Sequence, residues 1–140
     1  MGYTHYFQLK QVPTEQAFTK FSNGARQLAE ASGIKLITEF NNETVVVNGI
    51  REGKHETLFI SRTDTNWAFC KTAQKPYDEV VTAILILSKY LFPSMYISSD
   101  GNWSEWRKGR ELFTKVFHLE PAEGTVFDDV KAVYPTRSLA

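Results

Sequence analysis

The chain has 140 residues, 42% hydrophobic, 23% charged and 14% aromatic, with 16 Lys and Arg against 16 Asp and Glu. That length fits one domain over residues 1–140, large enough to bury roughly two-thirds of the surface of its unfolded chain without disulfide or metal staples. Zero net charge argues against long DNA or RNA, which calls for a basic excess, but it allows a small anionic ligand held by a few local cations and removes self-repulsion between copies.

In chain order, Tyr3–Leu9 alternates in part and is rich in aromatics, which predicts a strand. Pro13-Thr14 opens a helix, with Thr14 as N-cap, Phe18, Phe21, Ala25 and Leu28 on one face, and Gly33 as the stop. Gly24 interrupts that helix pattern. Lys35–Phe40 and Thr44–Ile50 read as strands joined at Asn41-Asn42, two residues that tolerate positive φ. After a turn at Glu52-Gly53, His55–Arg62 predicts a third strand, with Leu58 and Ile60 opposite to Thr57, Phe59 and Ser61. Asp64-Thr65-Asn66 is a loop, and Trp67–Thr72 a shorter strand.

Pro76 suits the first turn of a helix. Asp78–Phe92 is apolar almost all round, which predicts a core helix buried by the chain itself or by a partner chain. Pro93 ends it. Met95–Ser98 reads as a strand, Asp100-Gly101 as a turn, and Trp103–His118 as a last helix with Trp106, Leu112, Phe113 and Val116 toward the core. The tail, residues 121–140, has a weaker pattern, with a short helix over Phe127–Val133. The sum is α+β: an antiparallel or mixed sheet of about five to six strands with two or three helices on one side.

Cys70 is the only cysteine, so no intramolecular disulfide forms, which suits a reducing compartment. The Met1–His5 start lacks the n- and h-regions of a signal peptide, and Tyr3 is a poor neighbour for myristoylation of Gly2. Val80–Leu87, the most apolar run, is too short to span a bilayer. These features predict a cytoplasmic protein without a membrane partner.

Four stretches are more polar than a core needs: Tyr3-Thr4-His5-Tyr6, His55-Glu56-Thr57, Phe69–Asp78 and Ser98-Ser99-Asp100-Gly101. Lys71 and Lys75 flank a loop that leads into a helix N-terminus, where free N–H groups attract anions; Thr72 adds a hydroxyl, and Phe69 and Tyr77 offer ring faces. The same segment also reads as a loop with two solvated lysines. The hydroxyls of Ser98-Ser99 suit ribose or phosphate and Asp100 suits a base amide, although a capped turn explains them equally. His55-Glu56-Thr57 is half of a two-histidine phosphodiesterase signature, and His5 is followed by no Ser or Thr that would complete it. A lone cysteine excludes the paired cysteines of a zinc deaminase, and Cys70 in an apolar strand reads as a core residue. No spacing of His5, His55 and Glu56 favours a metal. Catalytic residues, metal and cofactor are therefore expected to be absent.

Taken together, Met1–Tyr6, His55–Thr57, Phe69–Asp78 and Ser98–Gly101 resemble a family found in phages, bacteria and some fungi. Its members share a Met-Gly-Tyr-Thr-His-Tyr start, a His-Glu-Thr strand, a Phe-Cys-Lys-Thr-Ala-x-Lys-Pro-Tyr-Asp segment and a Ser-Ser-Asp-Gly turn. For phage members the resemblance implies immune evasion of the anti-CBASS sponge type: sequestering a cyclic dinucleotide, for example 3′,3′-linked cyclic GMP-AMP, in the host cytoplasm without cleaving it. It implies a homo-oligomer, dimer or tetramer, with ligand at subunit contacts. Lys71, Lys75 and Arg62 are then the phosphate candidates, Tyr3, Tyr6, Phe69 and Tyr77 the stacking candidates, and His5, Thr72, Ser99 and Asp100 the polar readers. Two rival readings predict different geometries. An enzyme acting on a nucleotide or phosphorylated small molecule requires His5, His55, Glu56 and Asp100 to converge. A module that inhibits a host protein requires an exposed aromatic patch without a pocket.

Overall fold

The computed structural model describes residues 2–128. Among them are six strands and four helices: β1 (Thr4–Gln8), α1 (Glu15–Ser32), β2 (Leu36–Phe40), β3 (Thr44–Gly49), β4 (Leu58–Ser61), β5 (Ala68–Lys71), α2 (Asp78–Leu91), β6 (Tyr96–Ser99), α3 (Arg107–Phe117) and the one-turn α4 (Glu123–Val126). The strands form two three-stranded antiparallel sheets, ordered β5-β1-β6 and β2-β3-β4. The α+β class matches expectation, whereas the one sheet expected is divided in two.

The division has a local cause at His55-Glu56-Thr57, which the sequence places in the third strand and the structure leaves outside β4. The Asn48 side chain occupies this segment: its amide donates to the His55 carbonyl at 2.9 Å and to Thr57 Oγ1 at 3.0 Å, and its carbonyl accepts from His55 N at 3.1 Å. A Cβ on Gly49 would lie 2.1 Å from the Gly53 carbonyl oxygen, so glycine is required where the chain crosses back. The ladder between β3 and β4 therefore starts only at Leu58. Glu56 instead reaches β5, where its N–H donates to the Lys71 carbonyl at 3.1 Å, one backbone bond in place of a regular ladder.

Helix α1 is capped by Thr14, whose Oγ1 accepts from Ala17 N at 3.0 Å, and Gly33 ends it at φ 70°. Its Gly24 lies against α2, where a Cβ would meet Leu87 Cδ2 at 2.7 Å and displace that side chain. The turn at Asn41-Asn42 forms without positive φ at either residue. The Asn41 side-chain carbonyl does the work, accepting from Glu43 N at 2.8 Å and Thr44 N at 2.7 Å.

Helix α2 is the core helix its composition predicts, with every residue from Val80 to Ser88 buried. It packs between α1 and α3, and its contact with α3 is so close that a Cβ on Gly109 would lie 1.9 Å from Thr82 Oγ1. Helix α3 begins at Arg107 rather than at Trp103. Residues 103–106 form a turn closed reciprocally by Asn102 and Glu105, each backbone N–H donating to the other's side chain at 2.9 Å. Of the helix expected at Phe127–Val133, Phe127 and Asp128 are non-helical and the rest lies outside the described residues. Asp128 closes the β6 edge, accepting from Ile97 N at 2.7 Å and pairing with Lys89 at 2.9 Å. No helix among the described residues is long and apolar enough to cross a membrane.

The β5-β1-β6 sheet positions the site, because paired residues share a face. His5, Cys70 and Ser99 point inward in one row, with Phe7, Ala68 and Ile97 in the next. Thr4 and Lys71, then Tyr6, Phe69 and Ser98, then Gln8 and Tyr96 point outward.

Candidate functional site

His5 is fully buried, and both ring nitrogens are engaged. Ser99 Oγ lies 2.7 Å from His5 Nδ1, and Asp78 Oδ1 lies 2.6 Å from Nε2. Ser99 Oγ also accepts from Gly101 N at 2.9 Å and from Trp106 Nε1 at 3.1 Å. Those donors fill both lone pairs of the hydroxyl, so its own hydrogen goes to Nδ1 and His5 is the Nε2–H tautomer, donating to Asp78. Asp78 Oδ1 accepts a further 2.6 Å bond from Thr72 Oγ1. As the first residue of α2, Asp78 also places its carboxylate at the positive end of the helix dipole.

The imidazole sits between two rings, edge-to-face with Tyr3 at 5.2 Å and with Trp106 at 5.0 Å. Tyr3 Oη has no hydrogen-bond partner among the described residues, and a Cβ on Gly101 would lie 2.0 Å from it. Burial, then the carboxylates of Asp78, Glu105 and Asp100, push the Tyr3 phenol well above its ordinary range.

A second knot surrounds Glu56. Its carbonyl accepts from Tyr77 Oη and, at 3.5 Å, from Cys70 Sγ, while its Oε1 accepts from Lys71 N at 2.9 Å. Burial, then the Glu56 charge, pushes the Cys70 thiol up to about 12. It is a protonated core thiol, not a nucleophile. Burial raises the Tyr77 phenol as well, with Cys70 beside it as the next cause.

The outer face of the same sheet differs. Phe69 is 58% exposed and Trp67, just before β5, is 53% exposed. Trp67 packs on Tyr96 with ring centroids 4.9 Å apart. Tyr6, directly across from Phe69, donates from Oη to Asp100 Oδ1 at 3.1 Å, and Thr4 N donates to Asp100 Oδ2 at 3.0 Å. Lys71 stands across from Thr4 with no carboxylate partner among the described residues. A cation, two aromatic rings and an exposed carboxylate thus share one open face, spread over strands about 4.8 Å apart and rows about 6.8 Å apart.

The eleven residues singled out from the sequence therefore separate into groups. Tyr6, Phe69, Lys71 and Asp100 lie on the outer face. Tyr3, His5, Thr72, Tyr77 and Ser99 lie beneath it; Tyr77 is fully buried, and His5 and Thr72 have no exposed surface. Lys75 lines a groove of about 510 Å³ between the loop before α2 and the start of α3, beside Glu79, Glu105 and Lys108. Arg62 lies elsewhere, held by Glu43 at 3.2 Å and by the Pro13 carbonyl at 2.9 Å. His5, His55, Glu56 and Asp100 do not converge: His55 is exposed beside Asn48, and the other three have separate partners. No cluster of three or more metal-ligating side chains occurs among the described residues.

Three residues central to the network escaped the sequence reading: Asp78, Glu56 in its role as anchor of β5, and Trp106 as a donor to Ser99. Asp78 had one usable signal, a carboxylate at a helix start beside a threonine.

The chain matches no protein-family model, no curated protein and no solved structure.

Proposed function

We propose that this protein is a binding protein that captures a cyclic dinucleotide, such as 3′,3′-linked cyclic GMP-AMP, on the outer face of the β5-β1-β6 sheet and releases it unchanged, as a phage immune-evasion sponge in the host cytoplasm would. The observation that carries the reading is the cross-strand pair of Tyr6 and the 58% exposed Phe69, with Lys71, which has no carboxylate partner among the described residues, in the adjoining row. Aromatic rings on an open sheet face stack bases, each contributing about 1–3 kcal/mol, and a neighbouring ammonium meets phosphate. His5, Thr72, Ser99 and Tyr77 support that face from below, and Tyr3 packs against them. Lys75 lies in the neighbouring groove among Glu79, Glu105 and Lys108 and takes no direct part on this face. Arg62 takes no part.

The engagement of both His5 nitrogens favours binding over turnover, since neither is open to a substrate proton. A ligand with two bases suits two copies facing each other, so a dimer or tetramer belongs to the same proposal.

The test is calorimetric titration of the purified protein with cyclic dinucleotides, followed by heat denaturation and chromatography of the released ligand. Binding, intact recovery and about a ten-fold or greater weakening in Phe69→Ala are expected. Recovery of a linear or hydrolysed product would make the protein an enzyme. Absence of binding to every cyclic dinucleotide, with capture of a host protein by the same face, would make it an inhibitory interaction module.

A further inference from the structure

We infer that Asp100 makes this face selective for guanine. The inference rests on the nucleotide-binding reading above and assigns the base that it takes.

Asp100 is exposed, yet its carboxylate is not free to turn. Oδ2 accepts from Thr4 N at 3.0 Å and Oδ1 from Tyr6 Oη at 3.1 Å, and Asp100 N donates to the Thr4 carbonyl at 2.9 Å. The carboxylate is pinned through both oxygens and through its own backbone. Each oxygen uses one lone pair on these bonds and keeps another. What remains is one negatively charged acceptor site on each oxygen, held beside the Tyr6 hydroxyl.

Guanine presents two adjacent donors, N1–H and the 2-amino group, on its Watson–Crick edge. Adenine offers one donor next to a ring-nitrogen lone pair, which a carboxylate repels. Cytosine repeats that pattern, and uracil flanks its one donor with two carbonyls. Of the common bases only guanine satisfies both oxygens, through charge-assisted bonds. The Tyr6 phenol bonds to the same carboxylate, so a base stacked on that ring meets the carboxylate at its edge. Lys71, one strand over from Thr4, lies on the opposite side, where a phosphate would be neutralised.

The experiment is titration of the wild-type chain and Asp100→Asn with cyclic di-GMP, cyclic di-AMP and cyclic di-IMP. The inosine ligand differs from the guanine one only by loss of the 2-amino groups, so it probes the second donor without altering the protein. Cyclic di-GMP is expected to bind at least about ten-fold tighter than cyclic di-AMP, with cyclic di-IMP between them, as expected when a charge-assisted bond is removed. Asp100→Asn is expected to remove the preference while binding of cyclic di-AMP persists. Equal affinity for the three ligands overturns the guanine assignment and leaves the nucleotide reading in place. Binding of none of these, nor of 3′,3′-linked cyclic GMP-AMP, overturns both.

Discussion

His5 Nε2 on β1 donates to Asp78 Oδ1 at the start of α2 across 2.6 Å, joining residues 73 apart in the chain. The bond ties the sheet to the core helix, and His5 is fully buried. Replacing Asp78 leaves the buried His5 Nε2 without its acceptor, and replacing His5 empties a buried ring site while Asp78 keeps only its bond from Thr72. His5→Ala and Asp78→Ala are each expected to lower stability by about 2–4 kcal/mol in urea denaturation. The double variant should show a coupling of about 1–3 kcal/mol. Simple additivity would mean that the two side chains do not depend on each other.

Tyr3 and Gly101 supply an opposite case. The Tyr3 hydroxyl is buried without a partner among the described residues, pressed against the Gly101 backbone. Removing an unsatisfied hydroxyl is neutral or favourable, so Tyr3→Phe should leave the melting temperature unchanged or raise it. Gly101→Ala forces a Cβ to within 2.0 Å of that oxygen, and a loss of about 1–3 kcal/mol is expected from the overpacking. A clear fall in melting temperature for Tyr3→Phe would reveal a hydrogen bond to this hydroxyl.

Cys70 should be chemically silent in the folded chain. With its thiol pushed up to about 12, only about one molecule in 10,000 carries a thiolate at pH 8. Ellman's reagent is expected to label it only after unfolding; rapid labelling of the native protein would show that the Glu56 knot opens readily. The same shift sets an alkaline limit. Below the ordinary thiol value of 9.0 both states hold the proton and nothing is gained. From there upward the unfolded chain ionises while the folded chain does not, so stability is lost as pH rises. The raised phenols of Tyr3 and Tyr77 act in the same direction. Denaturation midpoints measured between pH 7 and pH 10 should therefore fall at the alkaline end.

Glu79 gives a neutral-pH test. Burial raises its carboxyl above the ordinary value of 4.5; Lys108 opposes that shift, and Asp78 and Glu111 add to it. The folded state holds this proton more tightly, so the associated stability is present at low pH and is lost as pH rises through the folded value. Glu79→Gln should raise the melting temperature at pH 7 and make no difference at pH 4. A lower melting temperature at pH 7 would mean that the Lys108 attraction outweighs desolvation.

Much of the architecture could be read in advance because its determinants are local. Thr14 and Gly33 mark the ends of α1 by capping and left-handed geometry, and an unbroken run of apolar residues can be accommodated only in a buried α2. The misses arose where a distant side chain overrode local pattern. Asn48 takes the backbone N–H and carbonyl of His55 and the hydroxyl of Thr57, so the predicted strand starts three residues late and the sheet divides. Asn102 and Glu105 close a turn where helical periodicity alone implied continuous helix.

For the site, the sequence by itself determined which residues were chemically unusual: a histidine, paired serines, an aspartate and a lysine-flanked aromatic segment in a chain without net charge. Only the tertiary structure decided which of them face solvent. Strand alternation sends His5 and Ser99 inward and Tyr6 and Phe69 outward, but which face becomes the inside depends on where α2 packs. Hydrogen-bond satisfaction then decides the rest, since a buried histidine must find partners for both nitrogens and an exposed carboxylate need not. His5 found Asp78 and Ser99, and Asp100 keeps a lone pair on each oxygen without a partner among the described residues.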